Sequence, residues 1–223
     1  MSEYHDPVLF NECMDGLDLD PKGVYVDVTF GGGGHSRAIV SKLEEGHLYA
    51  FDQDDDAMEN EIDDDRFTLI NANFRYLKNS LRMYGVKQID GLLADLGVSS
   101  HQFDIADRGF SIRFEADLDM RMDQNSDLNA YKVVNSYEKD ELRNILKLYG
   151  ELKRPGTIAR VIYEAKENKP IKTVNELKDL IRSFAPKMQE NKFFAQVFQA
   201  IRIEVNDELN ALRGIAKSGS GDI

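Results

Sequence analysis

Asp27-Val28-Thr29-Phe30-Gly31-Gly32-Gly33-Gly34-His35 stands between a short β-branched run, 24–28, and a stretch of helical pattern, 35–43. Glycine lets a backbone turn through φ > 0 and approach a ligand with no Cβ in the way. The helix start behind it offers free N–H groups. A dinucleotide-binding turn needs three spaced glycines; Gly31 and Gly33 fit, but Ser36 takes the third place. The Lys-containing phosphate loop is absent. Asp52 ends the next apolar run, 18 positions after Gly34, where an acid commonly holds ribose hydroxyls. Asp27, just before the glycines, would repel a pyrophosphate and suit a cationic ligand. A sulfonium, an ammonium and a ribose without any phosphate meet these demands together, and S-adenosyl-L-methionine carries all three.

A second group follows the fourth apolar run. Asp95-Leu96-Gly97-Val98-Ser99-Ser100-His101-Gln102 presents a carboxylate, two hydroxyls, an imidazole and an amide. In an open parallel sheet this is the carboxyl-end side, where ligands bind. An exocyclic amine is a poor nucleophile because its lone pair is delocalised into the ring. A carboxylate accepting its N–H would localise that pair and take the proton, which makes Asp95 the catalytic candidate. The alternative is an acid that holds the loop or the amino group of the cofactor. Methylation at pyrimidine C5 normally uses a cysteine nucleophile, but Cys13, the one cysteine, lies on an apolar helix face before the glycine turn. Chemistry at nitrogen or oxygen remains. The four histidines show no i,i+4 spacing, so no zinc site is expected. Asp52, Asp54 and Asp56 start like a calcium loop, but Ala57 replaces its glycine and Asp63 its glutamate.

Elements must position these groups. Residues 8–17 predict a helix, 24–28 a strand, 35–43 a helix, 48–51 a strand, 55–62 a helix, 67–70 a strand, 74–84 a helix and 89–95 a strand. Strands apolar on both faces, alternating with helices, predict a parallel sheet covered on both sides. The stretch 97–123 is irregular yet rich in Phe, Leu and Met, which argues for a functional loop rather than disorder. From 138 on the pattern is helical. Thr173 and Glu176 form a capping box, and 193–212 reads as one long last helix.

The chain has 223 residues and a net charge of -12. Its start lacks a signal-peptide pattern, no apolar run approaches the roughly 18 residues of a membrane helix, and cysteine is scarce, so a cytoplasmic protein without membrane contact is expected. The acidity is uneven. Residues 139–202 hold 14 Lys and Arg against 8 Asp and Glu, a net of +6, and the remainder is therefore at -18. A basic segment on an acidic body suits a nucleic-acid contact, or is a solvated helical surface. Lys147, Lys153, Arg154, Arg160 and Lys166 fall in two consecutive helical stretches, with Lys153 and Arg154 as candidates for RNA phosphates.

Several stretches together resemble the bacterial small-subunit ribosomal RNA cytosine-N4 methyltransferases, which act on a cytidine of 16S rRNA in the decoding region. They are His5-Asp6-Pro7-Val8-Leu9, Tyr25 to Ser36, Asp90 to Gln102, Arg108-Gly109-Phe110-Ser111, Leu118-Asp119-Met120-Arg121-Met122-Asp123, Tyr149-Gly150-Glu151 and Phe198 to Leu209. Their order is that of the family and they cover nearly the whole chain. The resemblance implies that Gly33, Gly34, His35, Asp52, Phe74, Asp95 and Gln102 line the methyl-donor site, and that the helical region is an inserted substrate-recognition domain. Many DNA amino-methyltransferases carry a Pro-Pro-aromatic motif after strand four; Asp95-Leu96-Gly97-Val98 has none. The family also continues past the last long helix into further strands. This chain stops at Lys217-Ser218-Gly219-Ser220-Gly221-Asp222-Ile223, which reads as a flexible tail on a C-terminally shortened form.

The expectation is an α/β, Rossmann-like, S-adenosylmethionine-dependent methyltransferase sheet with an inserted all-helical domain. Residues 1–105 and 196–223 would form the methyltransferase part and 106–195 the insert. Asp95 is the catalytic candidate. Ser99, Asp119, Arg121, Lys153 and Arg154 are the substrate candidates, with a salt-bridged structural role equally open to Asp119 and Arg121. The partner would be 16S rRNA or the small ribosomal subunit, and no oligomeric state is implied. Two rivals stand beside this reading: a non-catalytic RNA-binding protein on the same fold, and an NAD-dependent oxidoreductase, disfavoured by the missing third glycine and by Asp27.

Overall fold

The computed structural model describes residues 9–218, with side chains to 214. The helix start at Val8, the His5 stretch and the tail beyond Ser218 lie outside the described residues. The chain divides into two compact units, one of residues 1–101 and 209–223 and one of residues 102–208.

In the first unit, α1 (Phe10–Leu17), β1 (Val24–Asp27), α2 (Gly34–Lys42), β2 (His47–Asp52), β3 (Phe67–Asn71), α3 (Leu77–Met83) and β4 (Gly91–Leu93) follow one another. The strands form one parallel sheet in the order β3-β2-β1-β4. This is the α/β, Rossmann-like arrangement that the alternation predicts. Side chains of a strand alternate between its faces. Tyr25, Leu48 and Ala50 pack with Met14, Ile39, Val40 and Leu43 of α1, α2 and the residue after it. Val26, Val28 and Phe51 pack with Leu77 and Leu81 of α3 on the other side. Strands buried on both faces read as continuous apolar runs for this reason.

Two elements differ from expectation. The stretch after β2 is a 3-10 segment, Asp55–Asn60, not an α-helix reaching 62. Its many aspartates favour the short turn, and Asp54 caps it by accepting from the Asp56 N–H at 3.2 Å. The fourth strand spans Gly91–Leu93 rather than 89–95. After Leu93, whose carbonyl accepts from Val28 N–H at 3.0 Å, the Asp95 N–H turns to the Thr29 hydroxyl at 2.8 Å and leaves the ladder.

In the second unit, whose first helix α4 (Ser100–Asp104) straddles its boundary, come α5 (Ala130–Ser136), α6 (Lys139–Leu148), α7 (Pro155–Asn168), α8 (Val174–Ile181) and α9 (Glu190–Val205). The run of helices from α5 on follows Asn129, whose side chain caps α5 by accepting from Lys132 N–H at 2.9 Å, so it starts before 138. The Thr173–Glu176 capping box is present. Leu142, Ile145 and Leu146 of α6, Ile158 and Ile162 of α7, and Phe194, Val197, Phe198 and Ile201 of α9 make its core. All of α9 belongs to this unit, so the part of it placed in the return segment from 196 packs with the helices instead.

The expected single helix over 193–212 is two. α9 stops at Val205, Asp207 adopts a left-handed φ of 50°, and α10 (Glu208–Ser218) follows. The break frees the Asn206 side chain to serve another segment. Asn206 Oδ1 accepts from Met122 N–H at 2.7 Å, and Nδ2 donates to Met120 C=O at 2.8 Å. The end of the irregular stretch, 118–123, is thus held from α9, with the buried Met120 at φ 59°. Among the described residues, no helix is long and apolar enough to cross a membrane.

Candidate active site

The glycine turn joins β1 to α2. Gly31 has φ 51° and Gly33, the residue before α2, φ 75°, both in the left-handed region that a side chain resists. A Cβ on Gly33 would come within 3.0 Å of the Phe30 ring, whereas one on Gly31 would meet only Ser99, at 3.8 Å. The turn is braced from both ends. Gly31 N–H donates to Asp52 Oδ2 at 2.8 Å, and Asn60 Nδ2 donates to Gly31 C=O at 3.2 Å. Asp52 Oδ1 accepts from Asp54 N–H at 2.9 Å. Each carboxylate oxygen keeps a further lone pair. Burial pushes the Asp52 pKa up, against the lowering effect of its two backbone hydrogen bonds.

Asp27 does not face a ligand. It is 1% exposed, and its carboxylate accepts from Ser36 Oγ–H at 2.7 Å and from Thr29 N–H at 3.0 Å. Burial raises its pKa, although the Ser36 and Thr29 bonds oppose the rise. The acid before the glycines is therefore an internal brace, which corrects its reading as a contact for a cationic ligand. His35, the second residue of α2, is buried and stacks on Phe10 with ring centroids 5.9 Å apart. Its Nε2 is buried with no hydrogen-bond partner among the described residues, and such an atom calls for one.

Asp95 is exposed just beyond β4. Its backbone N–H is held by Thr29, while its carboxylate carries no hydrogen bond among the described residues. Ser99 is half-buried beside Gly31, and His101 Nε2 lies 3.3 Å from Asp56 Oδ2. One unit thus brings together Gly31, Gly33, Gly34, His35, Asp52, Asp95 and Ser99. Phe74 opens the 3-10 turn before α3 and packs, half-buried, against the Val26–Phe51 cluster. Gln102 is buried and falls in the second unit.

Residues 2–219 match the family described as the MraW methylase family. The chain belongs to the MraW methylase family. It is 58% identical over 212 residues to a protein of Flavobacterium johnsoniae named ribosomal RNA small subunit methyltransferase H, covering 95% of this chain and 70% of that one. Proteins of the same name from Christiangramia forsetii and Cytophaga hutchinsonii are 56% and 53% identical, covering 96% and 95% of this chain and 71% and 72% of theirs. Membership of a methylase family sets aside the oxidoreductase reading.

In this MraW-family chain the substrate candidates of the second unit fare differently. Arg121 is fully engaged: Nε and Nη2 donate to Asp119 at 2.9 and 2.7 Å, and Nη1 donates to the carbonyls of Gln124 and Ser126 at 2.7 and 3.0 Å. Burial would raise the Asp119 pKa, but the Arg121 hydrogen bonds outweigh it and hold it low. The pair clamps its own loop. Lys153 and Arg154 lie between α6 and α7, not on a helix face, because Pro155 starts α7 and Arg154 is the residue before it. Both are exposed, with no side-chain partner among the described residues, whereas Arg160 pairs with Glu164 at 3.6 Å and Lys166 donates to Tyr137 C=O at 2.6 Å.

Sequence reasoning assigned no role to Thr29, Asn60, Arg108 or Asn206. Arg108 is buried, and its Nη2 donates to the Arg121 and Met122 carbonyls at 2.9 and 3.2 Å. For Thr29 the sequence carried a signal of type and place, a hydroxyl two residues after a strand-end aspartate; for Asn206, inside an unbroken apolar period, it carried none.

Proposed function

We propose that this chain transfers a methyl group from S-adenosyl-L-methionine to N4 of a cytidine in 16S ribosomal RNA, in the decoding region of the small subunit. The observation that carries it is the Asp95 carboxylate, unengaged among the described residues and held by its backbone at the carboxyl end of β4 in a member of a methylase family. The names of the relatives supply the substrate class.

The residues fit the donor. The buried Nε2 of His35, unpartnered among the described residues, the open approach at Gly31 and the spare lone pairs of Asp52 are what a ribose-bearing, phosphate-free ligand would use. Gly33, Gly34, His35, Asp52 and Phe74 would hold it, with Asp52 on the ribose hydroxyls. When bound, S-adenosylmethionine supplies an electrophilic methyl group on its sulfonium.

The protein's own part is orientation and one proton. Asp95 would accept an N–H of the cytidine amine, localise the nitrogen lone pair and take the proton as the N–C bond forms and the S–C bond to the methyl breaks, the sulfur leaving as a neutral thioether. Alignment of the two reacting atoms supplies most of the rate. A paired or stacked cytosine could not present N4, so the base must leave its stack. Ser99, beside the turn, would orient it. Lys153 and Arg154 hold phosphates, and the helical insert, 106–195, recognises the RNA, either free or in the assembled subunit. Such a protein works in the cytoplasm, beside its substrate.

Methyl transfer from labelled donor to unmethylated small subunits and to free 16S rRNA tests the reading. Asp95→Ala should lower the rate by about 10²- to 10⁴-fold with donor affinity intact. Activity within a few-fold of wild type, with donor binding lost, would make Asp95 a cofactor residue. RNA binding without transfer by the wild-type protein would favour the non-catalytic rival.

A further inference from the structure

Resting on the reading of Asp95 as the proton acceptor, we propose that Thr29 is a positioning residue for the transfer: its hydroxyl ties the Asp95 backbone to the buried end of β1. The Thr29 hydroxyl accepts from Asp95 N–H at 2.8 Å and lies 3.3 Å from Asp27 Oδ1, to which it donates. A hydroxyl has one proton to give and lone pairs to receive with, so the two contacts use it without conflict. Asp27 is itself fixed. Its second oxygen accepts from Ser36 Oγ–H at 2.7 Å, and Ser36 is fully buried in the first turn of α2.

The tether matters because of where β4 stops. Leu93 is its last residue and α4 begins at Ser100, so the stretch 94–99 has left the ladder. Residues 94–97 are exposed and cannot be placed by packing. The bond to Thr29 therefore sets where the Asp95 carboxylate sits relative to the glycine turn, since Thr29 and Gly31 belong to the same β1–α2 connection. A displacement near 1 Å at a reacting group costs on the order of 100-fold in rate. The sequence offers a second hint: Thr29 follows Asp27 by two residues and has its own N–H on Asp27 Oδ1 at 3.0 Å, which fixes the hydroxyl's backbone as well.

Thr29→Val keeps the branched shape and removes the hydroxyl; Thr29→Ser keeps the hydroxyl and removes the methyl. Two readouts are paired. In amide hydrogen exchange, Asp95 N–H should exchange faster in Thr29→Val than in wild type and remain protected in Thr29→Ser. In methyl transfer, Thr29→Val should lose about 10- to 100-fold in kcat with unchanged donor affinity and RNA KM, and Thr29→Ser should restore most of it. Unchanged Asp95 exchange in Thr29→Val overturns the tether. Faster exchange with kcat intact overturns its role in positioning, provided that Asp95→Ala is inactive. If Asp95→Ala is active, the reading of Asp95 fails instead, and the exchange result still decides the tether.

Discussion

At the scale of single residues, the two strand-end aspartates of the first unit divide the work by exposure. Asp52 keeps lone pairs available, so Asp52→Ala should weaken S-adenosylmethionine by about 1.5–3 kcal/mol for each hydrogen bond to a charged acceptor that is removed. Calorimetric titration measures it, and unchanged affinity would remove Asp52 from the site. Asp27 is the opposite case: a buried acid whose pKa is raised from its ordinary 3.8 by burial. A folded state that holds the proton more tightly than the unfolded chain is stabilised below the ordinary value. It loses that advantage as pH rises through the raised one. The stability of the wild type should therefore fall on that limb as pH climbs from 3.8. Asp27→Asn should flatten the limb in part, because Asp52 shifts in the same direction. Chemical-denaturation midpoints across that range give the comparison, and identical slopes for the two proteins would contradict it.

At the scale of elements, the interruption between α9 and α10 is the feature with the most dependents. Asn206→Ala would strip partners from the Met122 N–H and the Met120 carbonyl, at about 1–3 kcal/mol for each buried group left unsatisfied. Thermal melting should show the loss, and no change in the midpoint would mean that water replaces the amide. The sequence pattern made the sheet legible because parallel strands advertise themselves as β-branched runs between turns, as at 24–28 and 48–51. The glycine turn was legible for the same reason. The α9–α10 break was not, since Ile201, Val205 and Leu209 continue an apolar period across it. Only a tertiary partner, the 118–123 loop, explains why Asn206 leaves the helix. The engagement of Arg121 and the burial of Asp27 were equally hidden: residue type says that a charge is present, but not whether another group has already used it.

At the scale of the whole molecule, charge decides how RNA is approached. The net of -12 works against association with a polyanion, and the segment at +6 is where attraction is available. Within it many cations are neutralised locally, as Arg143 is by Asp140 and Lys169 by Glu176. Lys153 and Arg154 are among those with no side-chain partner among the described residues. Reversing both to Glu should weaken RNA binding at every sequence alike, leave donor affinity unchanged and lower the slope of log K against log salt. Each phosphate that is no longer neutralised should take about 0.7–0.9 off that slope. An unaltered slope would mean that these two are only a solvated surface.

The amide of Asn206 also bears on the speed of folding. The helical unit has the composition of a fast folder, since helix hairpins such as α6 and α7 need only near neighbours along the chain. Yet the hydrogen bonds of Asn206 with Met120 and Met122 span 86 and 84 positions. Closing so long a loop costs entropy before it returns any interaction, so this bond belongs to the late, downhill side of the barrier. In stopped-flow experiments, Asn206→Ala should accelerate unfolding and leave the refolding rate nearly as it was. The same amide that shapes the 118–123 loop would then govern how long the native unit persists, rather than how soon it appears.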